Sequence, residues 1–192
     1  MFTDNHFTRA LDSTLEMAKS GKYPFSPWVV LHSLPGFGKT ASTLAWLEFN
    51  KLKNIRIDAP TLRISEIEVE CLPANGPHEE GVFLIGKHEL ENLFTPFKKK
   101  VKVVFDSSLI DEIDKQTVIC IDNYDKASQE QRDELMKLIH YHHVIDPREE
   151  NNDKIKVINP LMLIVMIDDA KLITKNPLTF EEMKLLGLEE FM

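Results

Sequence analysis

Three stretches of this chain are apolar at consecutive positions: Trp28-Val29-Val30-Leu31, Thr117-Val118-Ile119-Cys120-Ile121, and Leu161 to Ile167. Short unbroken runs of this kind suit strands covered on both faces. Ile55-Arg56-Ile57 and Val101 to Phe105 read as further strands, with Leu62-Arg63-Ile64 continuing in extended form. Between them the spacing turns helical. Phe7, Leu11, Leu15 and Ala18 predict a helix over 5–20 closed by Gly21, and Ala41 to Leu47 predicts a second. Residues 128–140 form an amphipathic helix, with Ser128 as its cap and Gln131 at the capping-box position. Shorter helices are expected over Lys87 to Phe94, over Leu109 to Ile113 behind a Ser107 cap, and over Phe180 to Leu186. Glu66 to Gly86, rich in Pro, Gly and acid, reads as an irregular excursion. Val144-Ile145 and Ile155 to Ile158 flank a polar, turn-prone segment, which predicts a hairpin with a long tip at 143–158. Strands alternating with helices predict an α/β fold in three layers, with a mostly parallel five-stranded sheet and a β-hairpin insertion.

The chemistry sits where the first strand meets its helix, at His32-Ser-Leu-Pro-Gly-Phe-Gly-Lys-Thr40. Strand, glycine loop, Lys-Thr and helix is an arrangement that wraps main-chain N–H groups around phosphate oxygens. The helix N-terminus adds about half a positive charge. The backbone of Leu34, Pro35, Gly36, Phe37, Gly38, Lys39, Thr40 and Ala41 is the predicted phosphate cradle. Lys39 is expected to reach the β- and γ-phosphates, and Thr40 to ligate Mg²⁺. The usual pattern begins with glycine where this chain has Ser33, which is tolerable if that position does not need φ > 0. The apolar run 118–121 ends in Asp122, a carboxylate placed to hold Mg²⁺ together with Thr40.

The loop resembles the Pro-Gly-x-Gly-Lys-Thr loop of AAA+ ATPases, and Val118 to Ile139 resembles their Walker B strand and following helix. Within that superfamily the chain is most similar to MoxR-like members, through the hairpin of His143 to Pro160 and through Thr61 to Glu68. The resemblance spans roughly residues 25–170. It implies a P-loop NTPase core, ATP rather than GTP, and assembly with copies or other chains through the 143–158 hairpin. It also exposes departures. The glutamate that polarises the attacking water is replaced by Asn123, and an amide cannot take a proton. Asp125 is the nearest carboxylate. The position usually held by Asn or Thr at the end of the last strand falls near Asp168-Asp169, where an anion repels a γ-phosphate unless a cation meets it. No arginine follows Arg148, and the residues after the last strand leave no room for a helical lid.

Lys39, Asp122, Asn123 and Asp125 are therefore the candidate catalytic residues of an ATP-binding protein that hydrolyses slowly or only in an assembly. A non-hydrolysing ATP-binding switch or structural subunit is the alternative, and a small nucleotide or metabolite kinase a third reading. A length of 192 residues suits one domain: a helix at 5–21, a core at 25–170 and a tail at 171–192. The formal net charge of −8 argues against broad nucleic-acid binding. No apolar run approaches the roughly 20 residues of a membrane span, and the first residues lack a signal-like core, so a cytoplasmic protein is expected. Cys120, inside an apolar run, reads as a small hydrophobe. His140 and His143 share a helical face, but the segment reads as a polar helix end rather than a metal site.

Overall fold

The continuous apolar runs become the middle of a parallel sheet. A computed structural model describes residues 6–71, 97–149, 154–168 and 177–188. Its main sheet comprises β1 (Trp28–Ser33), β2 (Lys53–Asp58), β5 (Thr117–Asp122) and β8 (Met162–Asp168), in the order β1-β8-β5-β2 and parallel throughout. Every residue of β5 is buried, as is all of β8 except Asp168. Alternate side chains of these strands enter opposite cores. On one face Ile119, Ile121, Leu163 and Val165 pack with Leu135, Leu138 and Ile139 of α4 (Gln129–Tyr141). On the other, Val118, Cys120, Ile164 and Met166 pack with Leu11 and Leu15 of α1 (His6–Ser20) and with Trp46 and Leu47 of α2 (Lys39–Phe49). Helices on both faces explain why these strands carry no alternating polar residues.

Among the described residues this sheet has four strands rather than five. Of the expected strand Val101 to Phe105, the first three residues belong instead to β4 (Phe97–Val103), which pairs antiparallel with β3 (Ser65–Cys71) in a separate ribbon. Lysines at 98, 100 and 102 alternate along β4, and a strand with a charged face cannot be buried on both sides. They stand opposite Glu70, Glu68 and Glu66 in register. Lys100 lies 3.6 Å from Glu66, Lys98 lies 3.5 Å from Glu68, and Lys102 reaches Glu130 on α4 at 2.6 Å. Residues 65–71 are thus a strand rather than part of an irregular excursion. The remainder of that excursion and the helix expected over 87–94 lie outside the described residues.

Smaller differences have local causes. Ala59–Thr61 forms a 3₁₀ turn where extended chain was expected just beyond, and β3 begins only at Ser65. Helix α3 (Ser107–Glu112) starts before the expected position, with Asp106 at its N-cap. The Ser107 hydroxyl donates instead to Asp146 at 3.3 Å. The expected capping box is present at Ser128 and Gln131. Strands β6 (His143–Ile145) and β7 (Ile155–Val157) pair antiparallel. Helix α5 (Phe180–Leu185) has its own capping box, Thr179 with Glu182. No helix among the described residues is long and apolar enough to cross a membrane.

Candidate phosphate-binding site

Register puts the chemistry at one edge of the sheet. Ser33 ends β1 opposite Asp168 of β8, and Asp58 ends β2 opposite Asp122 of β5. Brought to the carboxyl ends of parallel strands, these residues meet the N-terminus of α2, the usual place for a ligand in such sheets.

Gly36 and Gly38 hold φ of +80° and +78°. A Cβ at Gly36 would meet open space, and at Gly38 only Ser42 Oγ at 4.0 Å. The torsion, not crowding, therefore calls for glycine, since a left-handed L-residue costs roughly 1–2 kcal/mol. Ser33 is not among the positive-φ residues, so serine is unstrained at that position. Gly38 is the N-cap of α2 and offers no side chain to the first-turn N–H groups. Those donors at Lys39, Thr40 and Ala41 stand at the positive end of the helix, ready for an anion. Leu34, Pro35, Gly36 and Phe37 form the exposed outer part of the loop.

Lys39 is buried, and its ammonium donates to Ser33 O at 3.0 Å, Ser33 Oγ at 3.1 Å, Leu34 O at 3.4 Å and Asp168 Oδ1 at 2.8 Å. The other oxygen of Asp168 takes Lys126 at 3.2 Å. Burial pushes the Asp168 carboxyl up, but the two ammonium groups outweigh it and hold the group below its ordinary value. The backbone N–H of Asp168 donates to Asp125 Oδ1 at 3.0 Å, so Asp125, itself buried, is tethered to the end of β8.

Asp122 is equally committed. Thr40 Oγ1 donates to its two oxygens at 3.0 and 3.2 Å, the Asn123 N–H at 3.0 Å, and the Arg56 guanidinium at 2.6 Å. Asn123 uses both ends of its amide: Nδ2 donates to Asp58 at 2.8 Å, and Oδ1 accepts from Lys126 at 2.8 Å. The contacts close a circuit, Thr40–Asp122–Asn123–Lys126–Asp168–Lys39. The structure thus brings Lys39, Thr40, Asp122, Asn123 and Asp125 together. It adds Arg56, Asp58 and Lys126, which sequence reasoning missed. Arg56 had a signal, a polar residue between Ile55 and Ile57 on a strand leading toward the site. Lys126 had none, because a lysine four residues past a strand is ordinary.

The histidines stand apart from this circuit. His140 lies edge-on to Trp28 at 5.4 Å, and His142 packs beside Phe25 at 6.1 Å. Among the described residues no group of three or more His, Cys, Asp or Glu is arranged to hold a metal. A cavity of about 580 Å³, lined by Lys102, Phe105, Lys137 and Ile145 among others, includes no residue of the loop.

No protein-family model matches the chain. No curated protein matches it either. Among solved structures, NtrX from Brucella abortus in complex with ATP is similar at 9% identity and a TM-score of 0.40, over 97% of this chain and 32% of that one. The chain therefore spans about a third of that protein. The likeness is too loose to carry the role of any residue from one chain to the other. What stands on this chain's own geometry is an α/β core with a parallel sheet and a glycine loop between its first strand and the following helix.

Proposed function

We propose that this chain binds ATP, with the phosphates against the backbone of residues 34–41 and Lys39 as their fixed cation. The observation that carries the reading is the pair of left-handed glycines leading into an uncapped helix N-terminus beside a buried lysine. Thr40 and Asp122 are the residues that would hold Mg²⁺. As adjacent hard-oxygen donors they fit such an ion once the half-exposed Arg56 gives up its hold on Asp122, and the ion when bound would neutralise phosphate charge. Adenine over guanine rests on the AAA+ resemblance, as do the MoxR-like kinship and assembly through the 143–158 hairpin.

Hydrolysis by the isolated chain is slow or absent in this reading. Asn123 can hold a water but cannot accept its proton, and both ends of its amide are already engaged. Asp125 is buried and accepts at Oδ1 from the backbone N–H of Asp168, which ties it to the end of β8. Loss of a general base costs about 10²–10⁴ in rate. These contacts favour a nucleotide-binding switch over an efficient ATPase. Calorimetric titration with Mg·ATP, with Lys39→Ala as the blank, should give heat for the native chain alone. Multiple-turnover phosphate release should stay close to that blank. Equal heats from the two proteins would remove the proposal, and rapid Lys39-dependent release would restore the enzyme.

A further inference from the structure

Asp168 places one carboxylate between two ammonium groups, Lys39 at 2.8 Å from Oδ1 and Lys126 at 3.2 Å from Oδ2. The carboxylate is largely shielded, with its side chain 17% exposed, while Lys126 is half exposed. Two cations on the oxygens of a single anion make an oxyanion site, and it stands beside the phosphate loop because Ser33 and Asp168 are partners in register. We infer that Asp168 is an internal stand-in for the terminal phosphate, and that Lys126 is a second phosphate-binding cation beside Lys39. This rests on the nucleotide reading above and says how the nucleotide is recognised.

The charges fit. Lys39 and Lys126 set two ammonium groups on the single carboxylate of Asp168. A terminal phosphate group carrying two negative charges balances them better than a carboxylate does. The backbone of Asp168 is held at its N–H by Asp125, so the side chain is the part that can yield. Lys126 otherwise contacts only the Asn123 amide among the bonds described for its ammonium, and its exposure leaves it free to follow an incoming phosphate. Binding is then a competition in which the nucleotide displaces a resident anion. Removing that anion tightens binding instead of weakening it.

The test is calorimetric titration of the full chain with Mg·ATP at fixed salt, each variant first checked by thermal melting. Asp168→Asn keeps the side-chain shape and should tighten binding about tenfold, the gain expected when a competent form populated to about a tenth becomes dominant. Lys126→Gln should weaken it about fivefold, the size of a half-exposed charge contact. In Asp168→Asn/Lys126→Gln the gain should shrink below about threefold, since the two residues act on one site. Asp168→Asn binding that is unchanged or weaker overturns the inference. A gain equally large with and without Lys126 also overturns it, because bulk charge then accounts for the effect. In both cases a native chain that binds ATP through Lys39 leaves the nucleotide reading standing. If no variant and no native protein binds ATP, that reading falls and takes this one with it.

Discussion

Asn123 sits at φ 55° and ψ 35°, in the left-handed region that asparagine tolerates better than longer side chains do. Its amide donates to Asp58 and accepts from Lys126, so the residue joins the ends of two strands to the 3₁₀ turn Tyr124–Lys126 that follows. A glutamate at this position loses the donor, sets a second carboxylate against Asp58 and meets the backbone cost as well. Asn123→Glu should therefore lower the unfolding free energy by about 2 kcal/mol, read from the urea midpoint. A variant as stable as its parent would mean that the Asp58 contact carries no weight. The same geometry explains why asparagine suits this position.

Between elements, the contact with most at stake joins α4 to α5. Arg132 is 1% exposed; its Nε donates to Glu182 at 2.7 Å, and other guanidinium nitrogens donate to Ala127 O at 2.9 Å and Pro177 O at 3.2 Å. Tyr124 also donates to Glu182, at 3.3 Å. Arg132→Ala leaves a buried carboxylate without its cation and should cost about 3–5 kcal/mol. Arg132→Met combined with Glu182→Gln should cost less, because no charge is stranded and the amide oxygen still accepts from the Thr179 N–H or the Tyr124 hydroxyl. Denaturant curves decide between the two, and equal losses would assign the effect to the lost guanidinium contacts and packing rather than to a stranded charge. None of this was legible in the sequence, where Arg132 is one polar residue on an amphipathic helix and its partner stands 50 positions away. Local signals fared better. The capping box at Ser128, the glycine loop and the burial of 117–122 depend on neighbours in the chain, and each is present. The ribbon β3–β4 escaped because its glutamate–lysine alternation makes sense only once the two strands are paired. The place of β8 between β1 and β5, which carries Asp168 to Lys39, is likewise a long-range outcome.

Across the molecule, the same economy of pairing leaves two polar groups unsatisfied where α4 runs into β6. The Nε2 atoms of His140 and His142 are buried without a hydrogen-bond partner, and His142 is 3% exposed. Burial pushes both imidazoles below their ordinary value; for His142 the neighbouring His143 and His140 add to the effect, against a hydrogen bond to the Ser26 backbone. In the unfolded chain these groups titrate near about 6.5. Below that pH the unfolded state takes up protons that the folded state refuses, so stability falls as pH falls, until the folded values are passed. The slope is at most about 1.4 kcal/mol per pH unit for each histidine. The carboxyls of Asp168 and Asp146 do not enter this window. Lys39 and Lys126 outweigh burial at the first, Arg148 holds the second low, and what they contribute is lost only at more acid pH, below the ordinary carboxylate value. The melting temperature should thus hold steady above about pH 7 and drop between about pH 6.5 and 5.5. His142→Asn tests the assignment, since asparagine accepts the left-handed backbone at φ 54° and does not titrate. Its melting temperature should fall less steeply over that interval than the parent's, and parallel slopes would move the acid sensitivity elsewhere in the fold.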